Sequence, residues 1–189
     1  RDKACEEDQE VYWGEEEKMK KELICMDMDN TLLYSDKVHV VAFNRAFKKN
    51  GLPQLPVKDI IYYFGLAAKD MVDKLVPDIS KEKMEAVIRD HDDFVVNDTV
   101  KYVRIIPGVK GALNTLKKHY KLALLSNCKH REIVATIKAA GIDKSAFIEM
   151  IGNDEVKHPK PNPDEIRKAM QKARTKKGYM VGDSTYDID

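Results

Sequence analysis

Residues 23–31, with the sequence LICMDMDNT, join a short apolar run to two carboxylates one residue apart. A short apolar run of this kind indicates a buried strand. Because side chains alternate along a strand, Asp27 and Asp29 lie on the same side where the strand ends and can converge on one point. This arrangement suits a metal-assisted nucleophile and its acid/base partner.

A calcium-binding EF-hand loop also carries alternating acidic residues, but this stretch does not fit one. Counted from Asp27, the sixth position is Leu32, where the loop requires glycine. The twelfth position is Val38, where it requires a bidentate glutamate. The pattern therefore favours a catalytic use of the acidic pair.

Three further apolar runs are each followed by polar residues. In an open parallel sheet the carboxyl ends of the strands meet at one edge, so four such runs predict one shared site. The runs and the polar residues that follow them are 122–125 with Ser126 and Asn127, 147–151 with Lys160, and 179–181 with Asp183 and Asp187.

These four clusters, in this order, resemble the motifs of the haloacid dehalogenase superfamily of phosphatases. That family combines an Asp-x-Asp-x-Thr loop, a Ser or Thr, a Lys, and a Gly-Asp-x-x-x-Asp segment, and all four are present between Asp27 and Asp187. The resemblance implies an α/β fold with a Rossmann-like parallel-sheet core and an inserted α-helical cap. It also implies hydrolysis of small phosphate monoesters through an aspartyl-phosphate intermediate.

The resemblance further implies a role for each motif residue. Asp27 is the expected nucleophile, and Asp29 is the expected acid and base, with a pKa above that of Asp27. Lys160 is expected to hold the nucleophile and the phosphoryl oxygens by its charge. The residues expected to bind the phosphoryl group are Ser126, Asn127 and Thr31, and those expected to hold Mg²⁺ are Asp27, the backbone carbonyl of Asp29, Asp183 and Asp187, the last directly or through water. Asn30 stands where many relatives carry glycine, and asparagine tolerates the positive φ that such a position can require.

The chain is predicted to consist of three parts: a charged tail at 1–21, a core formed by 22–33 and 105–189, and a helical cap at 34–104. The apolar residues of the middle part recur at helical spacing, whereas strands and helices alternate after residue 105, as in a parallel sheet covered on both faces. Within the core, Asn162, Pro163 and Glu165 predict a helix with Asn162 as its N-cap.

Substrate recognition is predicted to lie in the cap, which resembles that of the phosphoglycolate phosphatase and β-phosphoglucomutase branch. Such a cap closes over the site and excludes water. The candidate substrate contacts are His39, Gly65 and Lys69. A phosphosugar mutase is the first alternative, although aromatic rather than basic residues precede Gly65 where a second phosphate would be anchored. A catalytically silent or phospho-acceptor signalling domain is the second, and Asp29 together with the cap speaks against it.

Bulk composition agrees with a globular enzyme. The 189 residues are 43% apolar with a formal net charge of +1, which gives no basic field for nucleic acid. No apolar stretch reaches the roughly 20 residues that a membrane-spanning helix needs. The three cysteines cannot all pair and show no CxxC spacing, which suits a reducing, cytoplasmic location. We expect a small phosphorylated metabolite as partner, neither nucleic acid nor membrane, and a monomer or homodimer.

The chain ends at Asp189, two residues after the last motif residue. Relatives continue through another helix and usually a further strand. The sequence therefore predicts that roughly 20 to 30 residues of the core are missing at this end.

Overall fold

The computed structural model of the chain describes residues 21–188. The charged tail predicted for residues 1–21 therefore lies outside the described residues, apart from Lys21. The strands are β1 (Leu23–Met26), β2 (Leu33–Tyr34), β3 (Arg104–Ile105), β4 (Lys121–Ser126), β5 (Glu149–Gly152) and β6 (Gly178–Val181). The α-helices are α1 (Asp36–Lys49), α2 (Val57–Ile61), α3 (Ala68–Leu75), α4 (Lys81–Asn97), α5 (Val109–His119), α6 (His130–Ala139) and α7 (Asp164–Ala173).

The main sheet has four parallel strands in the order β5-β4-β1-β6. Strand β1 pairs with β4 on one side and with β6 on the other, with Met26 level with both Leu124 and Val181. The four strands therefore end at one edge of the sheet. The α/β class with a parallel-sheet core, predicted from the sequence, is confirmed.

The two central strands are buried on both faces. Ile24 and Met26 face an apolar cluster that includes residues of α5 and α6, such as Leu113 and Ile133. The alternate residues Leu23 and Cys25 face a second cluster with residues of α7. Burial on both faces explains why β1 reads as a continuous apolar run rather than an alternating one.

Helices α1 to α4 are inserted between β2 and β3, which pair as a short antiparallel ribbon. These helices, which we call the inserted helices, have their own apolar cluster, formed around Phe43, Phe47 and Val72. Helix α1 ends just before Asn50-Gly51, a pair typical of helix ends, and Gly51 has a φ of 70°. The Ser80 side chain accepts a hydrogen bond from the Lys83 backbone at the start of α4.

Helix α7 begins one residue later than a helix with Asn162 as its N-cap would. Its first residue is Asp164 and its N-cap is Pro163, although the Asn162 Oδ1 atom still accepts a hydrogen bond from the Asp164 backbone at 3.2 Å. Glu165 does not reach back to cap the helix: it is fully buried, and neither carboxylate oxygen has a hydrogen-bond partner among residues 21–188. Burial raises the pKa of Glu165 from 4.5 to about 7 against the opposing effect of nearby Lys160.

Glu165→Gln should change how stability depends on pH. Below pH 4.5 the wild-type carboxyl is protonated in both states, but as pH rises towards 7 the unfolded chain ionises first, so native stability falls. The variant lacks this loss. Its free energy of unfolding, relative to that of wild type, should therefore rise by up to about 3 kcal/mol between acid pH and about pH 8. Urea unfolding at acid pH and at about pH 8 measures this change in the free energy of unfolding. Glu82→Gln, on the exposed side of α4, is the control. An equal difference at both pH values would contradict this account of Glu165.

Among residues 21–188, no helix is both long enough and apolar enough to cross a bilayer.

Candidate active site

The four predicted motifs meet at the carboxyl edge of the parallel sheet. Buried Lys160 donates hydrogen bonds from its Nζ atom to Asp27 Oδ1 at 2.6 Å and to Asp187 Oδ1 at 2.7 Å. The same nitrogen also donates to the backbone carbonyl of Leu125, at the end of β4, at 3.3 Å. One cation therefore links the first, third and fourth motifs.

The loop after β1 is shaped by Asn30, which has a φ of 56°. Its backbone N–H donates to the carbonyl of Leu33, and its side chain donates to Asp36 at 2.9 Å, at the start of α1. The left-handed conformation explains why this position takes asparagine or glycine. The tolerance expected of Asn30 is confirmed.

The Asp29 carboxylate is surrounded by groups from the core and from the inserted helices. Its Oδ2 atom accepts hydrogen bonds from Ser126 Oγ and Cys128 Sγ, both at 3.4 Å. Its Oδ1 atom lies 3.4 Å from the Nε2 atom of His39, on α1. The second motif residue, Ser126, thus lies directly against the first motif.

The pKa order of the two acids is the reverse of the predicted one. Burial, reinforced by the Asp29 and Asp187 carboxylates, raises the pKa of Asp27 to about 7 despite the opposing effect of Lys160. Burial would also raise the pKa of Asp29, but contacts with His39 and Cys128 outweigh it and lower that pKa to about 2. The expectation that Asp29 has the higher pKa is therefore wrong for this site, because His39 pairs with Asp29. In turn, the pair with Asp29 raises the pKa of His39 against the effect of burial.

A cluster of carboxylates offers a place for a divalent cation. Oxygen atoms of Asp27, Asp183 and Asp187 lie within 4.8 Å of one another. Oxygen donors of this kind fit Mg²⁺, which keeps several water ligands beside a few carboxylates. Both Asp187 oxygens already have partners, Lys160 on one and Ser184 on the other, which favours the predicted contact through water. The side chain of Asp29 faces away towards His39, and the predicted use of its backbone carbonyl stays a prediction.

Two predicted phosphate-binding residues have other partners. The Asn127 amide nitrogen donates to the carbonyls of Gly65 at 2.7 Å and Lys160 at 3.0 Å, which uses both of its hydrogens. Asn127 therefore links two loops to the end of β4, and its predicted contact with phosphate stays a prediction. Thr31 Oγ1 donates to Asp183 Oδ1 at 3.5 Å. Its predicted phosphate contact stays a prediction.

The three residues predicted to contact substrate do not share one environment. His39 and Gly65 line the cavity in front of Asp27, but Lys69 is exposed and does not line it. Lys69 lies on the exposed side of α3, and its predicted substrate contact stays a prediction. Gly65 has a φ of 95°, and a side chain there would press on Tyr186.

The sequence did not single out the polar residues behind His39. His39 Nδ1 lies 3.3 Å from His91 Nε2, and His91 Nδ1 lies 3.1 Å from Asp92 and 3.7 Å from Glu132. Phe43 stacks on the His91 ring with centroids 3.9 Å apart. In the sequence, His91 looked like one position of an amphipathic helix. The adjacent pair His91-Asp92 on that helix was the one available signal.

A buried lysine shared by two carboxylates lies at the carboxyl edge of the parallel sheet, which is where α/β enzymes place their active sites. The sequence profile of the haloacid dehalogenase-like hydrolase family matches residues 24–189, and the chain therefore belongs to that family.

Relatives agree with this assignment. A phosphoglycolate phosphatase of Aquifex aeolicus is 28% identical over 171 residues, which cover 88% of this chain and 78% of that protein. The pyrophosphatase PpaX of Oceanobacillus iheyensis is 27% identical over 168 residues, which cover 87% of this chain and 76% of that protein.

Solved structures share the fold. A predicted phosphoglycolate phosphatase from Haemophilus somnus superposes with a TM-score of 0.77 at 26% identity, covering 90% of this chain and 80% of that one. A hydrolase of the haloacid dehalogenase-like family from Streptococcus pneumoniae superposes with a TM-score of 0.76 at 20% identity, covering 89% of this chain and 78% of that one.

Proposed function

We propose that this protein is a Mg²⁺-dependent phosphatase that hydrolyses small phosphate monoesters through an aspartyl phosphate on Asp27. The observation that carries the proposal is the position of the Lys160 ammonium, 2.6 Å from Asp27 and 2.7 Å from Asp187, beside Asp183. A phosphatase is also what the names of the Aquifex and Haemophilus relatives say of those proteins.

In the first step, Asp27 Oδ attacks phosphorus, the ester bond breaks and the leaving oxygen takes a proton from Asp29. Lys160 holds Asp27 in place and offsets the negative charge that two anions bring together. Ser126 Oγ can rotate from Asp29 to a phosphoryl oxygen. The proton for the leaving oxygen lies between Asp29 Oδ1 and His39 Nε2, which are 3.4 Å apart. Asp29 delivers this proton to the leaving oxygen.

In the second step, Asp29 takes a proton from water, which attacks the aspartyl phosphate and restores Asp27. The carboxylates of Asp27 and Asp183 would hold Mg²⁺, with Asp187 reached through water. Bound there, the cation would neutralise phosphoryl charge.

The inserted helices would act as a cap. The hydrogen bond from Asn127 to the Gly65 carbonyl joins the core to the loop between α2 and α3, and His39 contacts Asp29 from α1. Such contacts would close the site against bulk solvent, so that the water activated by Asp29 is the one that reaches the aspartyl phosphate. With Lys69 outside the cavity, no observed contact favours the mutase alternative, which would need an anchor for a second phosphate.

Phosphate release from p-nitrophenyl phosphate tests the proposed activity. Mg²⁺ should be required, and EDTA should abolish turnover until excess Mg²⁺ is added back. Asp183→Asn should raise the Mg²⁺ concentration needed for half-maximal rate by about 10-fold or more. Equal rates with and without chelator would remove the metal from the mechanism, and absence of turnover with every phosphate ester would refute the phosphatase.

Asp29→Asn should separate the two steps. Because p-nitrophenolate leaves without protonation, the variant should release a burst of one p-nitrophenolate per protein and then turn over about 10²-fold more slowly than wild type. With an alkyl phosphate, which needs a proton on its leaving oxygen, no burst is expected. Stopped-flow absorbance measures release of p-nitrophenolate, and a quenched-flow assay of the released alcohol measures the alkyl case. Steady turnover of both substrates at the wild-type rate would show that Asp29 is not the acid/base.

A further inference from the structure

We infer that the leaving group of the substrate is an uncharged alcohol with an apolar portion, rather than a glycolate carboxylate or a second phosphate. The inference rests on the proposed phosphatase function and narrows its substrate class. It comes from the part of the cavity lined by the inserted helices and by Glu132, which we call the far end.

The far wall of the cavity is apolar and comes from the inserted helices. Its lining residues include Phe43 on α1, Phe64 and Leu66 in the loop before α3, and Met71 on α3. Phe64 meets the His39 ring edge to face, with centroids 6.0 Å apart. A leaving group that extends from the phosphorus past His39 therefore meets carbon surface, and an apolar portion gains from being buried there.

The polar groups of the far end are a carboxyl and two imidazoles. Glu132 is buried in α6, and its Oε1 atom has no hydrogen-bond partner in the part of the chain that the structure describes. It lies 3.7 Å from His91, which is already engaged by His39 and Asp92. A hydroxyl of the leaving group can donate to this free acceptor, whereas an anion would be brought next to a buried carboxyl group.

The cationic groups around the cavity are already paired, including His39, which pairs with Asp29. Lys160 is bound by Asp27 and Asp187, and Lys129 lies 2.6 Å from Asp92. Among the lining residues in the described part of the chain there is neither lysine nor arginine. A carboxylate or phosphate at the far end would have to lose its hydration against apolar side chains and Glu132.

A pair of esters of matched size tests this inference. 2-Hydroxyethyl phosphate and 2-phosphoglycolate differ in whether the leaving group ends in a hydroxymethyl group or a carboxylate. 2-Hydroxyethyl phosphate, whose leaving group is uncharged, should have a kcat/KM at least about 10-fold higher than that of 2-phosphoglycolate. The kcat/KM of propyl phosphate should also exceed that of pyrophosphate. An equal or higher kcat/KM for phosphoglycolate or pyrophosphate would overturn the inference. Turnover of p-nitrophenyl phosphate in the same assays would show that the phosphatase function itself still stands.

A positive charge placed in the wall should weaken the preference for an uncharged leaving group. Met71→Lys puts an ammonium among the apolar residues and should raise the ratio of phosphoglycolate to hydroxyethyl phosphate kcat/KM by about 10-fold. Asp73→Asn makes the same change of net charge on the exposed side of α3 and should leave the ratio as in wild type. A ratio that moves equally in both variants would show that overall charge, not the cavity wall, selects the substrate, and would overturn the inference. If Met71→Lys does not fold, the wild-type ester pair decides the question alone.

Discussion

Asp27→Asn should lower the rate of phosphate release by about 10⁴-fold or more, because asparagine has no anionic oxygen to attack phosphorus. The fold should survive the change. Asparagine has the shape of aspartate, and Lys160 keeps Asp187 as its buried counter-ion at 2.7 Å. Release of inorganic phosphate under saturating substrate and Mg²⁺ measures the loss.

The matched control is Asp70→Asn, which makes the same change of charge on the exposed side of α3. It should keep the wild-type rate. Circular dichroism and thermal unfolding of both variants separate a loss of chemistry from a loss of structure. A folded Asp27→Asn protein that retains even a tenth of the wild-type rate would show that another residue carries the covalent step.

Lys160→Met should destabilise the protein strongly near neutral and alkaline pH. Methionine fills a similar volume but leaves Asp27 and Asp187 buried without their counter-ion, which costs about 3–5 kcal/mol. Even beside Lys160, the pKa of Asp27 is raised to about 7, chiefly by burial. Without Lys160 that pKa rises further, so the carboxyl is protonated at about pH 5 and the deficit should shrink there.

Urea unfolding at about pH 5 and about pH 8 measures the deficit, with Lys157→Met as a control because Lys157 is an exposed lysine of the same loop. The control should stay within about 0.5 kcal/mol of wild type at both pH values. The account of Lys160 fails if its own deficit is the same at both pH values or no larger than that of the control.

The sequence predicted the meeting of the four motifs because that meeting follows from topology. Once β1, β4, β5 and β6 are parallel, their carboxyl ends share one edge, and the residues that follow them must be neighbours. The contact of Lys160 with Asp27, 133 positions apart, was therefore predictable without any knowledge of side-chain packing. The boundaries of α1 and α4 were predictable for a similar reason, since local signals at Asn50-Gly51 and Ser80 set them.

Properties that depend on packing between the inserted helices and the core were not predictable. The low pKa of Asp29 comes from His39, whose orientation depends on His91 across the α1–α4 contact. The two carbonyl partners of Asn127 belong to distant loops, and no local pattern marks them. The inward position of Glu165 likewise follows from how α7 packs on the sheet, whereas the sequence alone suggested a capping role.

The most direct measurement of the central claim is chemical trapping of the phosphorylated side chain. Asp29→Asn protein mixed with p-nitrophenyl phosphate and Mg²⁺, quenched in acid within the burst and digested, should yield one phosphorylated peptide, that containing Asp27. Hydroxylamine should release the phosphate from this peptide, as expected of an acyl phosphate. A label on Ser126 or on any other residue, or a burst with no labelled peptide, would contradict the account.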